Sequence, residues 1–444
     1  MSPGSDDDEP EAALLDRLIG TSLTAIPTTL LGRFARLAGT MARAGVALGT
    51  RRLRGTGALD EEALERFVRS LGTLKGGAMK AGQIMSYAVE SLPPEAQRIL
   101  ATLQTHSPAV PFERIRAVVL EELGQKGEQL AARMQPRAVA AASIGQVHRA
   151  TLPDGSEVAV KVQYPGIEAA LSSEFRAAAG GAQFARLLAP AGNVGDFITE
   201  ARERMLAECD YVQELAWQQR FRKLFARHRV LRVPKVYPAY SSRRVLTSSW
   251  EEGIRLEAWL KARPSQEERN RIGEALYEFY VGSLLRHGIF NADPHPGNYL
   301  FRSDGKLVIL DYGCVRQFSA ARVDAFGRLR DAVQRDDQNA VRHAMQALGG
   351  RDPGDGERYA TIRVLLRSFF SPTLVDGVQP VPPTSETGLA QLIADKRALA
   401  NLNLPGELLF LFRIRFGLHA VLGRIGAEAN WHQLERTWSE RSHC

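Results

Sequence analysis

The sequence predicts an α+β fold, because strand-like and helix-like segments occupy different parts of the chain. Two apolar-rich runs, Gln146–Leu152 and Glu157–Tyr164, are joined by a Pro-Asp-Gly turn, as in an antiparallel hairpin. Two further short strands are expected at Arg232–Val236 and Arg244–Trp250. After Phe318 the apolar residues recur at helical spacing. Helices, then strands, then helices again is the order expected of an α+β protein.

Composition narrows the classes of partner. The chain has 444 residues, 44% of them hydrophobic, which is enough for two or three packed units. A formal net charge of +7 favours an anionic partner. No basic run is interleaved with aromatic residues, so we expect no nucleic-acid partner. Cys209, Cys314 and Cys444 lie far apart, which argues against a disulfide framework and for a reducing compartment.

The N-terminal residues predict neither secretion nor a membrane span. The first Lys or Arg is Arg17, so signal and transit peptides are not expected, and the uncharged stretch from there to Arg33 is too short to span a bilayer. We therefore expect a cytoplasmic chain. The segment Leu30–Arg54 is basic and amphipathic, which fits either the surface of an anionic membrane or packing on the protein itself.

Helices are expected from Asp60 to His106, with a break at two prolines. Within them lies a glycine cluster that ends in the sequence KAGQ. Lys80 and Gln83 share a helix face there and can reach a polar site. Spacing alone favours the plainer interpretation, a seam of small residues with Lys80 in solvent.

The second strand of the N-terminal hairpin carries a lysine among valines. Lys161 lies in the run VAVKV, and a buried lysine needs an anionic partner. The segment just before the hairpin fits G-x-G-x-x-G-x-V at Gly145 and Val147, but Ala140 and Ala142 replace the first two glycines. Their methyl groups are expected to stiffen a loop whose glycines would let backbone N–H groups approach phosphates.

A long helix is predicted over Phe197–Phe225. Its acidic residues Glu203, Asp210 and Glu214 fall on one stripe at helical spacing. One acid is expected to pair with Lys161, as in the ion pair between a strand lysine and a helix glutamate in kinases. A solvated face of mixed charges is the alternative, since arginines are intermixed with these acids.

The most informative stretch runs from Phe290 to Arg316. Asp293 and Asn298 form a D-x-x-x-x-N frame, and Asp311 opens a D-Y-G sequence. The strands predicted between Asn298 and Asp311 form a hairpin that brings these two residues together. Carboxylate and amide oxygens suit Mg²⁺, and Asp293 would orient or deprotonate a nucleophile. This arrangement is typical of kinase-like phosphoryl transfer, and an ordinary turn before a surface hairpin is the plainer alternative.

Six motifs in this order resemble those of the UbiB-type (aarF-domain) atypical kinases, over about Leu30 to Trp431. They are Lys80–Gln83 as KxGQ, Ala140–Ser143 as the alanine-rich loop, Val158–Gly166 as the lysine strand, Glu208–Tyr211 as ExD with Glu214 behind it, Asp293–Asn298, and Asp311–Gly313. Each motif is weak alone, and the ordered set is strong evidence.

The resemblance implies a bilobal protein-kinase-like fold with a family-specific N-terminal helical extension and an all-helical C-lobe. The expected segments are an acidic tail with the basic amphipathic segment at 1–55, the extension carrying KxGQ at 56–135, the N-lobe at 136–252 and the C-lobe at 253–444. The resemblance also implies that KxGQ folds over the site where a protein substrate would bind, which overturns the interpretation from spacing.

The resemblance assigns roles to these residues. Lys161 pairs with Glu214, Asn298 and Asp311 hold Mg²⁺, and Asp293 takes the position of the catalytic aspartate. The residues expected around ATP are Lys80, Gln83, Ala140, Ala141, Ala142, Ser143, Gly145, Val147, Lys161, Glu208 and Asp210.

The implied activity is that of a membrane-peripheral ATPase supporting ubiquinone-type lipid biosynthesis, with protein kinase activity suppressed by the KxGQ helices. Expected partners are ATP, an anionic membrane surface or a quinone-precursor-like lipid, and quinone-biosynthesis proteins. A small-molecule kinase of the aminoglycoside or choline type and a nucleotide-binding pseudokinase scaffold are the alternatives.

Several positions depart from known patterns. Ala292 replaces the Arg of H-R-D, His295 replaces the Lys of D-x-K-x-x-N, and no A-P-E follows Asp311. These three differences agree with weak phosphoryl transfer to proteins. Asn291 occupies a position where the family has His, which bears on the placement of the loop and not on the metal site.

Overall fold

The computed structural model describes residues 110–142, 144–169, 172, 206, 209–350, 352–381 and 406–440. The basic segment, the predicted helices before residue 110 and the predicted site residues Lys80, Gln83, Ser143 and Glu208 therefore lie outside the described residues.

The chain divides into two compact units, each made of separate stretches of sequence. One comprises Met1–Val118, Gln135–His148 and Lys161–Cys209, and the other comprises Val119–Met134, Arg149–Val160 and Asp210–Cys444.

Helices are the commonest secondary structure in the described chain. They are α1 (Phe112–Leu123), α2 (Gln125–Ala131), α3 (Tyr211–Leu224), α4 (Leu256–Lys261), α5 (Gln266–Tyr277), α6 (Ser283–His287), α7 (Ala320–Arg335), α8 (Gln338–Ala347), α9 (Gly356–Phe370), α10 (Gly406–Ile425) and α11 (Trp431–Glu440). A π-helical segment, Glu278–Gly282, joins α5 to α6. Helix α5 begins with a capping box between Ser265 and Glu268, which satisfies backbone donors at its first turn.

The strands are short. They are β1 (Ala140–Ala141), β2 (Gly145–Thr151), β3 (Glu157–Gln163), β4 (Leu231–Arg232), β5 (Val245–Ser249), β6 (Ile289–Asn291), β7 (Tyr299–Phe301), β8 (Leu307–Ile309), β9 (Val315–Gln317), β10 (Gln379–Pro380) and β11 (Glu428–Ala429). They form a four-stranded sheet in the order β1-β2-β3-β5, a three-stranded sheet in the order β4-β8-β7, and the pairs β6-β9 and β10-β11.

Both predicted hairpins are confirmed, since β3, β7 and β8 fall within the expected runs and β2 begins only one residue before its run. The strand expected at Arg232–Val236 is shorter. Only its first residue, Arg232, lies in β4. Strand β4 pairs in parallel with β8 through two residue pairs, Leu231 with Leu307 and Arg232 with Val308. Val236 makes an isolated bridge with Ser248. The described part after Phe318 is mainly helical as predicted, with the β10-β11 pair in addition. The expectation of an all-helical C-lobe at 253–444 is wrong, because the short strands β6 to β11 lie within that range and pair with one another or with β4.

The single helix predicted over Phe197–Phe225 is wrong at Asp210. Helix α3 starts at Tyr211, and Asp210 precedes it in extended conformation (φ −121°, ψ 92°). The Asp210 carboxylate accepts a hydrogen bond from Val212 N at 3.0 Å. An aspartate competes well for such an N-cap position because it satisfies an N–H that has no partner within the helix. Asp210 and Glu214 therefore do not lie on one helical stripe.

A buried ionic cluster holds the last helix onto the core of the second unit. Glu435 of α11 is 1% exposed. Its carboxylate contacts Arg415 Nη2 at 2.8 Å and Arg330 Nη1 at 3.4 Å, and it accepts the hydroxyl hydrogen of Tyr277 at 2.5 Å. Burial alone would raise the pKa of the Glu435 carboxyl, but the two guanidiniums and the Tyr277 hydroxyl outweigh it and hold that pKa below its usual value.

A buried polar latch lies in the first unit. The Gln146 amide accepts from Val110 N at 2.9 Å and donates to His148 Nε2 at 2.9 Å. His148 Nδ1 lies 2.8 Å from Gln135 O. Because Gln146 donates to Nε2 and Gln135 O can only accept, the imidazole is neutral with its proton on Nδ1. Burial lowers the pKa of His148, which outweighs the opposite effect of Gln135 O.

We expect Glu435→Gln to lower the free energy of unfolding by about 3–5 kcal/mol, because the buried Arg415 guanidinium loses its counter-charge. Arg330 keeps its contact with Asp331 at 2.8 Å. Denaturant unfolding followed by circular dichroism measures this loss. The matched control is Glu440→Gln, since Glu440 contacts Arg436 at 3.5 Å with both side chains exposed. That change is expected to cost less than about 1 kcal/mol. Equal effects from the two variants would contradict the cluster's role.

We expect His148 to make the stability of the latch pH-dependent. Its pKa is lower in the folded than in the unfolded chain, so the unfolded chain takes up the proton first. The contribution is therefore present above the unfolded value of about 6.5 and is lost as pH falls below it. Denaturant unfolding at pH 7.5 and 5.0 should show a larger loss for the natural chain than for His148→Gln. An equal loss in both would contradict this assignment.

Candidate functional site

The two predicted metal ligands stand at the same end of the β7-β8 hairpin. Tyr299 pairs with Ile309 in antiparallel register. Leu310 N donates to Asn298 O at 2.9 Å, so the hairpin closes directly next to Asp311. The structure thus brings Asn298 and Asp311 to one place, as the spacing predicts.

The Asn298 side chain is oriented by Asp293. Asn298 Nδ2 donates to Asp293 Oδ2 at 2.9 Å and to Asp293 O at 3.3 Å. The amide nitrogen thus donates to Asp293 alone. The amide oxygen, Asn298 Oδ1, accepts no hydrogen bond from any residue in the part of the chain that the structure describes. That oxygen is the kind of ligand that Mg²⁺ takes.

The turn before Asn298 is held from two sides. His295 Nδ1 accepts from Gly297 N at 3.0 Å, and Arg255 Nη1 donates to Gly297 O at 2.5 Å. Burial lowers the pKa of Arg255, although the neighbouring Glu257 opposes this. Because His295 Nδ1 accepts from Gly297 N, the His295 ring is held against its own loop.

Asp311 lies beside Gly313 and Glu214. Asp311 Oδ1 accepts from Gly313 N at 2.9 Å. A Cβ placed on Gly313 would lie 3.4 Å from Asp311 Oδ1 and 3.3 Å from Glu214 Oε2. Glu214, in the first turn of α3, is 4% exposed. The two carboxylates thus flank one small space, and the lack of a side chain at Gly313 keeps that space open.

Asn291 joins the two halves of the site, and the sequence motifs did not single it out for that role. It is 1% exposed. Its Oδ1 accepts from Asp293 N at 3.0 Å, and its Nδ2 donates to Asp311 O at 2.8 Å. The departure from the family pattern at this position was the signal available in the sequence.

The Tyr280 hydroxyl contacts the backbone of Asp293, and the sequence did not predict this contact either. Tyr280 lies in the π-helical segment, and its hydroxyl is 3.1 Å from Asp293 O and 2.9 Å from the Tyr299 hydroxyl. Complete burial raises the pKa of Tyr280 well above its usual value, so the hydroxyl stays protonated and can donate. π-Helical turns occur often at functional sites, and no residue pattern predicts one.

The candidate phosphate loop and Lys161 belong to the first unit. Ala140 and Ala141 form β1, and Ala142 N donates to Gly145 O at 2.8 Å in the turn to β2, the strand that carries Val147. A Cβ on Gly145 would lie 2.2 Å from Val162 O, so this turn requires glycine.

Along β3, Val160 and Val162 are buried and Lys161 is partly exposed between them. The pairing of Lys161 with Glu214, which belongs to the second unit, stays a prediction.

No three His, Cys, Asp or Glu residues in the described ranges cluster closely enough to hold a metal ion. A site of one aspartate and one asparagine does not need such a cluster, since Mg²⁺ keeps waters and binds substrate phosphates. Within the same ranges, no helix combines the length and the apolar character that crossing a membrane requires.

Comparison with known proteins agrees with the motifs. The model of the ABC1 atypical kinase-like domain matches residues 102–345. A solved structure from Mycobacterium tuberculosis, titled the complex structure of Rv3197-erythromycin, superposes with a TM-score of 0.62 at 28% sequence identity. The match covers 86% of this chain and 97% of that one. The α+β kinase-like fold predicted from the sequence is thereby confirmed.

Curated relatives match a large part of this chain. Rat atypical kinase COQ8B, mitochondrial, is 33% identical over 65% of this chain and 55% of its own length. Yeast atypical kinase COQ8, mitochondrial, is 30% identical over 65% of this chain and 58% of its own length. Protein ACTIVITY OF BC1 COMPLEX KINASE 3, chloroplastic, from Arabidopsis thaliana is 32% identical over 75% of this chain and 49% of its own length.

The chain thus spans about half the length of the curated relatives it matches. With the family model matched over more than half of its residues, the chain belongs to the ABC1 atypical kinase-like family, the UbiB family to which its motifs point.

Proposed function

We propose that this chain is a Mg-ATP-dependent ATPase of the atypical kinase type that supports ubiquinone-type lipid biosynthesis. The observation that supports it best is the convergence of three side chains. Asn298 and Asp311 lie at one end of a hairpin, and Asp293 is bonded to the Asn298 amide. Amide, carboxylate and catalytic-position aspartate are the groups that kinase-like phosphoryl transfer requires.

The donor set fits magnesium. Asn298 Oδ1 and the Asp311 carboxylate would hold the ion, which neutralises charge on the phosphates when bound. Asp293 keeps its orientation through Asn298 and Tyr280, and its carboxylate accepts a proton from the attacking hydroxyl or water. Lys161 would contact ATP phosphates from the strand beside the alanine-rich loop.

The residues of the Asp293–Asn298 loop favour water as the acceptor of the phosphoryl group. A lysine at position 295 would steady a transferring phosphate, but the chain has His295, whose Nδ1 accepts from Gly297 N. Ala292 leaves no arginine to bind a phosphorylated activation loop. These features argue against efficient transfer to proteins.

The pathway and the membrane belong to the same proposal. The relatives' names and the family motifs support a role in quinone lipid synthesis. The basic segment Leu30–Arg54 supports contact with an anionic membrane surface, a quinone-precursor-like lipid or quinone-biosynthesis proteins at that surface.

We expect Asp311→Asn to reduce Mg-ATP hydrolysis at least about a hundredfold, because a charged metal ligand becomes neutral. Phosphate release by the full chain is measured with and without anionic liposomes. Asp304→Asn is the matched control, since Asp304 lies exposed in the turn at the other end of the same hairpin. Its activity should stay near that of the natural chain.

The other outcomes of this assay are distinct. Phosphate found only on an added alcohol would identify a small-molecule kinase. Tight ATP binding without phosphate release would identify a nucleotide-binding scaffold. Either result would overturn the ATPase proposal.

We expect Asn291→Leu to lower kcat by about tenfold or more while KM for ATP changes little. Leucine has a similar volume, but it leaves Asp293 N and Asp311 O buried without their partners. Steady-state kinetics at saturating Mg²⁺ measure this effect, and a thermal melt checks the fold. Asn291→His, which installs the family's usual residue, should restore most of the rate. Failure of the histidine variant together with normal activity of the leucine variant would show that position 291 does not set the loop.

A further inference from the structure

A cavity of about 550 Å³ lies in the second unit between three segments. Its walls come from Glu252–Ile254, from the facing sides of α4 and α5, and from the β7-β8 turn at Arg302–Lys306. Pockets that hold small organic ligands span roughly 300–1,000 Å³, so this volume is sufficient for one.

The cavity is separate from the candidate metal site. Asn298 precedes β7 and Asp311 follows β8, whereas the cavity takes in the turn at the opposite end of the hairpin. Strands of three residues put about 10 Å between the two ends. Phe301 lines the cavity, and Leu300, on the other face of the strand, does not.

The floor of the cavity is apolar. The rings of Trp259 and Phe301 are stacked, with their centroids 4.6 Å apart and their planes at 19°. Ile272, which is 3% exposed, lies next to them in the lining. Ile254 at the edge is 45% exposed, although it is a large hydrophobic residue. A flat apolar group would cover the exposed parts of Ile254 and Trp259, which are now in contact with water.

Cationic groups surround that floor. Arg263 and Arg271 line the cavity, and neither forms an ion pair with any residue in the described ranges. The Lys306 ammonium reaches Asp304 only at 4.0 Å. The acids in the lining are Glu252 and Glu268, and the Glu268 carboxylate accepts from Ser265 N at 2.9 Å at the start of α5. Four cationic residues line the same cavity: Arg263, Arg271, Arg302 and Lys306. The cavity therefore has more positive charge than its own residues compensate.

Arg263 occupies a backbone position that suits glycine. It follows the end of α4 with φ at 52°, in the left-handed region. Glycine is the common residue at this place because side chains are strained there. The chain instead keeps a guanidinium at the rim of the cavity.

We infer that this cavity is a second ligand site, which binds an organic anion with a flat apolar body. The apolar body would lie on Trp259, and a carboxylate, sulfonate or phosphate head would contact Arg263, Arg271 and Lys306. The same head chemistry occurs on free small molecules and on anionic lipids. The inference does not depend on the metal site or on the proposed ATPase activity.

The test titrates the full chain with 8-anilinonaphthalene-1-sulfonate, an aromatic sulfonate whose fluorescence rises in apolar surroundings. The double variant Arg271→Glu with Lys306→Glu should weaken binding at least tenfold, because attraction is replaced by repulsion. Arg328→Glu is the matched control, since Arg328 is exposed on α7 and outside the cavity. It should leave binding unchanged.

Arg263→Gly separates ligand binding from folding. It removes one cation and also relieves the left-handed backbone. We expect binding about threefold weaker with a melting temperature that does not fall. If the probe binds equally to the natural chain and to all three variants, or does not bind the natural chain, the cavity is not an anion site and the inference is wrong.

Two further measurements identify the source of the head group. Displacement of the probe by sodium benzoate, without a change in vesicle binding, would support a free small anion. Lower cosedimentation of the double variant than of the Arg328→Glu control with phosphatidylglycerol vesicles would support a lipid. Displacement by inorganic phosphate as strong as that by benzoate would show that the apolar floor contributes nothing, and it would overturn the inference as stated.

Discussion

One buried amide determines the geometry of the candidate site. Asn291 has no contact with solvent, so both ends of its side chain need partners inside the protein. It finds them in Asp293 N and Asp311 O, on two different loops. The pairing of β6 with β9, which sets Asn291 opposite Val315, delivers the side chain to this point. The placement of the Asp293 loop relative to the Asp311 loop thus follows from a short strand pair and from the requirement that a buried amide be satisfied.

Hydrogen bonds of buried tyrosine hydroxyls connect the site to the core. Tyr277 and Tyr280 lie three residues apart where α5 passes into the π-helical segment, and both are fully buried. The Tyr277 hydroxyl bonds to Glu435 in the ionic cluster, and the Tyr280 hydroxyl contacts Asp293 O. The segment that contacts the Asp293 loop is therefore anchored by the last described helix, at a residue 158 positions further along the chain than Tyr277. Distant core residues are thereby connected to the candidate site through hydrogen bonds.

The sequence predicted features that depend on local spacing. Alternating apolar residues and tight turns located both hairpins, and the interval from Asn298 to Asp311 predicted that they meet. It missed features that depend on backbone conformation or on distant residues. Asp210 caps the start of α3, whereas the sequence predicted a helix that begins at Phe197. The prediction failed there because helix-forming residues lie on both sides of Asp210. Asp311, one partner of Asn291, is 20 residues away, and Tyr277 is 158 residues from Glu435. Two-residue strands such as β10 show no alternation at all.

The β7-β8 hairpin belongs to both proposed sites, which limits what a ligand in the cavity can do to the metal ligands. Each strand has three residues, and a shift of register by one residue would turn Tyr299 and Phe301 out of the core. The hairpin is also held by the Trp259 stack and by two hydrogen bonds between Ile254 and Phe301. An occupant therefore cannot slide the strands. It can only raise or lower the stability of the hairpin, so its effect on Asn298 and Asp311 would be on how firmly they are held and not on where they lie.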